Sequence, residues 1–182
     1  MQGLRGKVAV CTGSGRANGL GAGILRRLAA EGCKVVISDL GSPDQFLAAD
    51  DIGAIAEMTA VADELRASGA EVLVVPCDVR RDEDARKLID TTVAEFGSVD
   101  ILVNNAGSAP AGRIQDIDDA TWRSSIDLKL MGYVRCARAV LPAMRARRWG
   151  RIVNIIGRGG HQPAANYILG GAINAALANI TQ

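Results

Sequence analysis

Five short runs of apolar, mostly β-branched residues recur along the 182-residue chain and constrain its fold more than any other feature. Such runs are typical of strands buried on both faces of a parallel sheet, and strands that alternate with helices form right-handed βαβ units. We therefore predict an α/β fold with a doubly wound parallel sheet, in a single domain over residues 1–182. The predicted strands are Lys7–Thr12, Lys34–Asp39, Glu71–Cys77, Asp100–Asn104 and Arg151–Ile156, and the predicted helices are Gly19–Glu31, Ile52–Ser68, Asp82–Phe96, Asp118–Arg147 and Asn166–Gln182.

Composition excludes several functions. Lys plus Arg is 21 and Asp plus Glu is 20, so the net charge of +1 gives no basic excess for nucleic acid or an anionic membrane. No apolar run approaches the roughly 18 residues that a membrane span needs, and no signal peptide is predicted at the N-terminus. The four cysteines lie in apolar runs without zinc or redox spacing, which predicts reduced core cysteines, no metal site and a cytoplasmic protein. The single histidine, His161, is predicted to be solvated.

The first predicted strand runs into a glycine-rich turn, TGSGRANGLG over residues 12–21, and a helix follows. Glycines let the backbone turn tightly and approach a pyrophosphate, and the helix N-terminus offers free N–H groups. After a strand and before a helix, such a turn is typical of a dinucleotide site, the alternative being a purely structural turn. The residues that we predict to bind the cofactor here are Gly13, Gly15, Asn18, Gly19, Leu20 and Gly21.

Asp39 ends the second predicted strand and is followed by Leu40, and both are predicted cofactor residues. An acid at this place can accept hydrogen bonds from the ribose hydroxyls of an adenosine and would repel the 2′-phosphate of NADP. Arg16 in the turn argues the other way, because a guanidinium can hold that phosphate. An acid at the strand end points at the ribose, so we expect NAD rather than NADP. The alternative for Asp39 is a helix-cap or turn acid.

Polar or small residues also follow the third and fourth predicted strands, where open α/β sheets place their ligands. Asp78-Val79 follows the third strand, and Asn105-Ala106-Gly107 follows the fourth, so all five are predicted to line the cofactor site.

With these pieces in place, the sequence resembles the short-chain dehydrogenase/reductase family. The matching motifs are Thr12-Gly13 with Gly19-Leu20-Gly21, Asp39, Asp78-Val79, Asn104-Asn105-Ala106-Gly107, Trp122, Leu141-Pro142-Ala143-Met144, Gly150-Arg151-Ile152-Val153-Asn154 and Tyr167. The resemblance spans the whole chain. It implies a Rossmann-type sheet with strand order 3-2-1-4-5, a nicotinamide cofactor, and an alcohol or carbonyl substrate. It also implies a homo-oligomer, a dimer or tetramer.

In the family, a tyrosine gives or takes a proton, a serine polarises the substrate oxygen, and a lysine four residues after the tyrosine lowers its pKa. An asparagine in the long helix completes the proton relay. Tyr167 matches the tyrosine, but Gly157 stands at the serine position, Gly171 at the lysine position and Lys129 at the asparagine position. The glycine turn is also two residues longer than the family pattern.

Tyr167 is the predicted acid/base, and Lys129 is the second predicted catalytic residue. A phenol has a pKa near 10 and needs a nearby cation to act as a base near neutral pH. Because one cation is lost at position 171 and another is gained at position 129, we hypothesise that Lys129 partly takes over the electrostatic role. The alternative is an ordinary exposed lysine on a long helix.

Two functions follow from these residues. One is an NAD-dependent oxidoreductase of this family, and the other is a nucleotide-binding member of the same fold with impaired turnover. Tyr167 and the glycine turn favour the first, whereas Gly157 and Gly171 favour the second.

Three further features concern surfaces. The loop Gly41–Asp51 carries Phe46 and Leu47, which either cap a ligand or pack onto the domain. An apolar stripe on the long helix, which includes Tyr133 and Val140, is core, subunit interface or both. A complete doubly wound sheet has six strands and this chain supplies five, which leaves the fifth as an exposed edge. We therefore expect either a shortened form of a protein of about 250 residues or a partner that covers this edge.

Overall fold

The structure is a computed structural model, and it describes residues 3–45 and 47–181. Phe46 and Gln182, for which the sequence makes predictions, lie outside the described residues.

The described residues form a five-stranded parallel sheet in the order β3-β2-β1-β4-β5. The chain runs outward from β1 to β3 and then crosses over to β4. The carboxyl ends of β1 and β4 therefore meet at a topological switch point, the place where such sheets bind ligands. The predicted fold class and strand order are confirmed. The strands are β1 (Val8–Thr12), β2 (Lys34–Ser38), β3 (Val72–Val74), β4 (Ile101–Asn104) and β5 (Arg151–Asn154).

Helices cover both faces of the sheet. They are α1 (Leu20–Ala30), α2 (Ile55–Ala67), α3 (Asp82–Phe96), α4 (Asp119–Ser125), α5 (Gly132–Arg147) and α6 (Ile168–Ile180). Short 3₁₀ turns occur at Ala49–Asp51 and Arg158–Gly160. The stretch predicted as one long helix is interrupted by a π-helical turn, Ile126–Met131, between α4 and α5. In this turn the N–H of Gly132 donates to the carbonyl of Asp127, five residues back.

The side chains of β1 alternate between two hydrophobic cores, which explains why the strands are apolar throughout. Val8 and Val10 pack in the core that contains Leu88 of α3 and Val140 of α5. Cys11 points the other way, into the core built by α1 and α2. All four cysteines are buried and free, as predicted.

A third apolar cluster joins α6 to the start of α5 and consists of Tyr133, Leu169, Ile173 and Leu177. Tyr133 and Val140 of the predicted stripe are therefore core residues of this chain. β5 lies at the edge of the described sheet, and Val153 on it is 45% exposed. No helix among the described residues is long and apolar enough to cross a membrane.

Candidate functional site

A cavity of about 420 Å³ opens at the carboxyl ends of the strands, at the switch point of the sheet. Its wall gathers most of the predicted cofactor residues: Gly13, Gly19, Leu20, Asp39, Leu40, Asp78, Val79, Asn105, Ala106 and Gly107. The predicted residues Gly15, Asn18 and Gly21 lie near the turn but are not among the described residues that line the cavity.

Backbone geometry explains two glycines of the turn. Gly13 has φ +64°, and a Cβ there would lie 2.6 Å from the Cα of Ala106. At Gly21 a Cβ would lie 2.5 Å from the carbonyl oxygen of Gly13. Any larger residue at either position would push the turn away from β4 or from α1. Gly21 therefore supports the site by packing, without lining it.

Hydrogen bonds lock the end of β1 to the end of β4. The Nδ2 of Asn105 donates to the carbonyls of Thr12 (3.0 Å) and Gly13 (2.7 Å). In return, the hydroxyl oxygen of Thr12 accepts the backbone N–H groups of Asn105 and Ala106. The turn is thus held in one position before any ligand binds.

Hydrogen bonds tie the longer turn to α2 and to the 3₁₀ turn that precedes it. The N–H of Ala17 donates to Glu57 of α2 (2.8 Å), and the guanidinium of Arg16 donates to the carbonyl of Asp50. Asn18 is exposed. Sequence reasoning missed Glu57, because nothing near it in the chain links a helix glutamate to a turn forty residues earlier.

Asp39 faces the cavity but is only 9% exposed. One carboxylate oxygen accepts the N–H of Gly15 (2.9 Å), and the other accepts the N–H of Leu40 (2.8 Å). Each oxygen has a second lone pair for a further donor. Gly15 thus acts through Asp39, and Arg16 lines the same cavity.

Asp78 is paired inside the cavity wall with Arg80, which also binds Asp44 (2.6 Å). Burial raises the pKa of Asp78, but the hydrogen bonds and charge of Arg80 outweigh burial, so the pKa lies below its usual value. The hydrogen bonds that Arg80 donates to Asp78 and Asp44 raise the pKa of its guanidinium. The wall here is therefore a fixed arrangement of ion pairs.

Lys129 lies in the π-helical turn and lines the cavity. Its aliphatic stem packs against Gly107, where a Cβ would lie 2.8 Å from the Cγ of Lys129. Burial lowers the pKa of this lysine. Over residues 3–45 and 47–181, its amine has no hydrogen bond or ion pair, so it is a half-buried cation facing the cavity without a partner. π-helical turns of this kind are often found at functional sites.

Tyr167 is the N-cap residue of α6, and its ring lies over two glycines. A Cβ at Gly170 would overlap the ring, and one at Gly159 would lie 3.0 Å from its Cδ1. Tyr167 is not among the described residues that line the cavity, whereas Gly157 is. The structure therefore brings Lys129 and Gly157 together with the cofactor turn and leaves the Tyr167 ring beside them, on the α6 side.

Other lining residues were not predicted; examples are Asp51, Ile52 and Ser108 in the segments that follow β2 and β4, and Leu128 in the π-helical turn. Leu47 lines the cavity and also packs against the core that contains Leu88 and Val140, so its position agrees with both of the predicted alternatives. In the described part of the chain, no cluster of histidine, cysteine and acidic residues could hold a metal ion. His161 is exposed, as predicted.

Comparison with known proteins agrees with this geometry. The family model for short chain dehydrogenases matches residues 7–182. The chain belongs to the short-chain dehydrogenase family. The resemblance seen in the sequence is therefore confirmed.

Several relatives match most of the chain and are longer than it is. A 3-oxoacyl-(acyl-carrier-protein) reductase FabG of Staphylococcus epidermidis is 34% identical over 165 residues, which cover 89% of this chain and 62% of the relative. A cis-4-hydroxycyclohexanecarboxylate dehydrogenase of Sinomonas cyclohexanicum is 38% identical over 180 residues, 97% of this chain and 65% of the relative. A crystal structure of NAD⁺-bound xylitol dehydrogenase superimposes with a TM-score of 0.87 at 25% identity, over 99% of this chain and 64% of that one. The chain thus spans less than two thirds of the length of these proteins.

Proposed function

We propose that this protein is an NAD-dependent oxidoreductase that transfers hydride between a nicotinamide cofactor and a hydroxyl or carbonyl substrate. The observation that carries the proposal is the carboxylate of Asp39, held at the cavity wall by the N–H groups of Gly15 and Leu40. It provides acceptors for the ribose hydroxyls and disfavours a 2′-phosphate. The NAD⁺ in the related xylitol dehydrogenase structure supports the same cofactor class.

The residues present fit such a cofactor. The turn at Gly13 leaves no side chain between the backbone and a pyrophosphate. The N-cap of α1, Gly19, has no side-chain cap, so the first N–H groups of the helix are free to bind an anion. When bound, the nicotinamide ring accepts or delivers the hydride.

In this proposal the chain's own residues handle the proton. Tyr167 gives or takes it, which requires the ring to swing away from Gly159 and Gly170 toward the cavity. Lys129 supplies the positive charge that favours the phenolate, because its amine faces the cavity without an acidic partner in the described residues.

A second function is favoured by a specific observation: Tyr167 lies outside the cavity lining, and glycines stand where a serine and a lysine would assist it. The alternative is a nucleotide-binding protein of the same fold with little turnover. Loss of a general acid–base group generally costs about two to four orders of magnitude in rate.

A fluorescence titration with NADH and NADPH separates these functions. It is followed by turnover assays with NAD⁺ plus xylitol, NAD⁺ plus cis-4-hydroxycyclohexanecarboxylate, and NADH plus acetoacetyl-CoA. NADH binding about tenfold tighter than NADPH, with turnover of one substrate, supports the leading function. Binding without turnover supports the alternative, and failure to bind either cofactor contradicts both. Gly23→Ala is the matched control for variants of the turn, because a Cβ at this helical position meets no atom within 4 Å.

We also propose that the chain assembles as a dimer or tetramer, with no nucleic acid or membrane as a partner. The edge strand β5, with Val153 exposed, supports assembly. Four free, buried cysteines support a reducing compartment, and on that basis we propose the cytoplasm. Light scattering tests the assembly, and a monomer at all concentrations would contradict it.

A further inference from the structure

Asn174 is an unusual residue in the interior of the protein. It lies on α6 and is completely buried. Among the described residues, neither its Nδ2 nor its Oδ1 has a hydrogen-bond partner. An amide withdrawn from water without partners costs about 1–3 kcal/mol, so a buried side chain with both of its polar atoms unpaired needs an explanation.

The amide lies directly behind Gly157, a residue of the cavity wall. A Cβ on Gly157 would come within 2.9 Å of the Nδ2 of Asn174. No side chain at position 157 therefore stands between the amide and the cavity. The backbone of Gly157 has φ −81° and ψ 155°, an extended conformation that any residue can adopt. The glycine is thus needed for the space that Asn174 uses and not for its conformational freedom.

The same face of α6 is fitted closely to the segment that follows β5. A Cβ on Gly160 would lie 2.8 Å from the carbonyl carbon of Asn174, and one on Gly171 would lie 3.2 Å from the carbonyl oxygen of Gly159. Because backbone packs on backbone here, the amide has little freedom to turn away. Its polar end is held in the position next to Gly157.

We propose that the side-chain amide of Asn174, which lies behind Gly157, donates a hydrogen bond past this glycine to the oxygen of the bound substrate. This inference rests on the proposed oxidoreductase function and deepens it. A carbonyl oxygen gains negative charge as hydride arrives at its carbon, and an oriented N–H group stabilises that charge. The amide transfers no proton, so the proton still passes to the oxygen from a separate group, such as Tyr167. Asn174 thus takes the role that the family resemblance gives to the serine at position 157.

The first test replaces Asn174 with valine. Because the amide is unpaired in the folded chain, we expect Asn174→Val to unfold at the same temperature as the parent or at a higher one. We expect NADH to bind within about twofold of the parent, and kcat with the three substrates named above to fall about 100-fold, as for other lost oxyanion donors. Asn179→Val is the matched control, because Asn179 is exposed on the same helix. A marked fall in unfolding temperature, or an unchanged kcat, would overturn the proposal.

The second test is a rescue. At position 157 a serine crowds Asn174 in the parent, but in the double variant Gly157→Ser/Asn174→Ala it has room. We expect this double variant to turn over substrate about tenfold faster than Asn174→Ala, and Gly157→Ser alone to be slower than the parent. A double variant no faster than Asn174→Ala would overturn the proposal.

Failure of the oxidoreductase function can be distinguished from failure of the role proposed for Asn174. If the parent chain turns over none of the substrates, the oxidoreductase function fails and this inference fails with it. If the parent is active and Asn174→Val is equally active, only the inference about Asn174 fails.

Discussion

The turn after β1 and the segment between β5 and α6 are both rich in glycine, but the glycines serve different purposes. Gly13 has a positive φ, and its neighbour is the backbone of Ala106. Gly157 has an ordinary φ, and its neighbour is the end of the Asn174 side chain. In the first region glycine is required by the path of the chain. In the second it makes room for another side chain, so one residue there can compensate for another.

The two regions also differ in whether their polar side chains have hydrogen-bond partners within the chain. Around the turn, Thr12, Asn105 and Asp39 are all hydrogen-bonded. Around α6 and the π-helical turn, Asn174 and Lys129 have no partner in the described residues. The groups that line the first region are thus satisfied within the described part of the chain, although the buried Ser38 Oγ and Asn104 Oδ1 behind them are not, whereas the second region holds an amide and an amine that we propose to meet a ligand.

The largest effect that tests this comparison comes from adding a methyl group in each region. Gly13→Ala forces a Cβ against backbone at a positive φ, and we expect it to cost at least about 3 kcal/mol of the free energy of unfolding. Gly157→Ala has an ordinary φ and meets a single side-chain atom, the Nδ2 of Asn174, rather than backbone, so it should cost clearly less, about 1 kcal/mol. Urea denaturation measures both. Equal costs would contradict the distinction between the regions.

The second expected effect concerns the paired charges of the cofactor region. Arg80→Met leaves Asp78 without its cation, and we expect a loss of about 2 kcal/mol at neutral pH. The pKa of Asp78 is lowered in the folded protein, so its stabilising contribution is present at neutral pH and disappears as the pH falls through that lowered pKa. The difference in the free energy of unfolding between the parent and Arg80→Met should therefore become smaller at acidic pH.

Arg81→Met is the matched control for this prediction. Arg81 is exposed, and among the described residues its side chain makes long contacts, 3.4 Å to Glu83 and 3.9 Å to Asp84. We expect a loss below about 0.5 kcal/mol, with little dependence on pH. If Arg80→Met and Arg81→Met lost similar amounts of the free energy of unfolding, the ion pairs in the cavity wall would contribute nothing to the stability of the cofactor region.

The first region could be predicted from the sequence, and the second could not, for a physical reason. The roles of Gly13, Asp39 and Asn105 follow from their place at strand ends, which a local pattern specifies. The space that Gly157 leaves for Asn174 depends on two segments meeting in three dimensions, as does the pairing of Ala17 with Glu57. The π-helical turn was missed because the apolar pattern of Asp118–Arg147 is continuous across it.

The third expected effect is a stabilisation, and it tests whether the buried amine of Lys129 is unpaired. Lys129→Met removes a charge whose burial is uncompensated, so we expect the free energy of unfolding to rise by about 1 kcal/mol at neutral pH. Burial lowers the pKa of Lys129, so the parent should gain stability as the pH rises through that lowered pKa toward the unfolded value, whereas Lys129→Met should not. Thermal unfolding between neutral pH and pH 10 measures this. Exposed Lys87 gives the control, Lys87→Met, and a destabilised Lys129→Met variant would show that the amine has a partner.

The smallest expected effect tests whether the longer turn after β1 contributes to the cofactor region. Arg26 of α1 binds the carbonyl of Ala17 (2.8 Å) and forms an ion pair with Glu64 of α2 (2.7 Å). It thereby connects the turn to both helices. Because the ion pair is exposed, we expect Arg26→Met to cost only about 0.5 kcal/mol, and less at high salt.

Arg27→Met removes a similar exposed pair, with Glu31, that does not touch the turn. The two variants should therefore lose similar stability, but only Arg26→Met should weaken NADH binding, by about twofold to threefold. Equal NADH affinities in the two variants would mean that the turn keeps its position without Arg26, and that this link is a surface feature rather than part of the cofactor site.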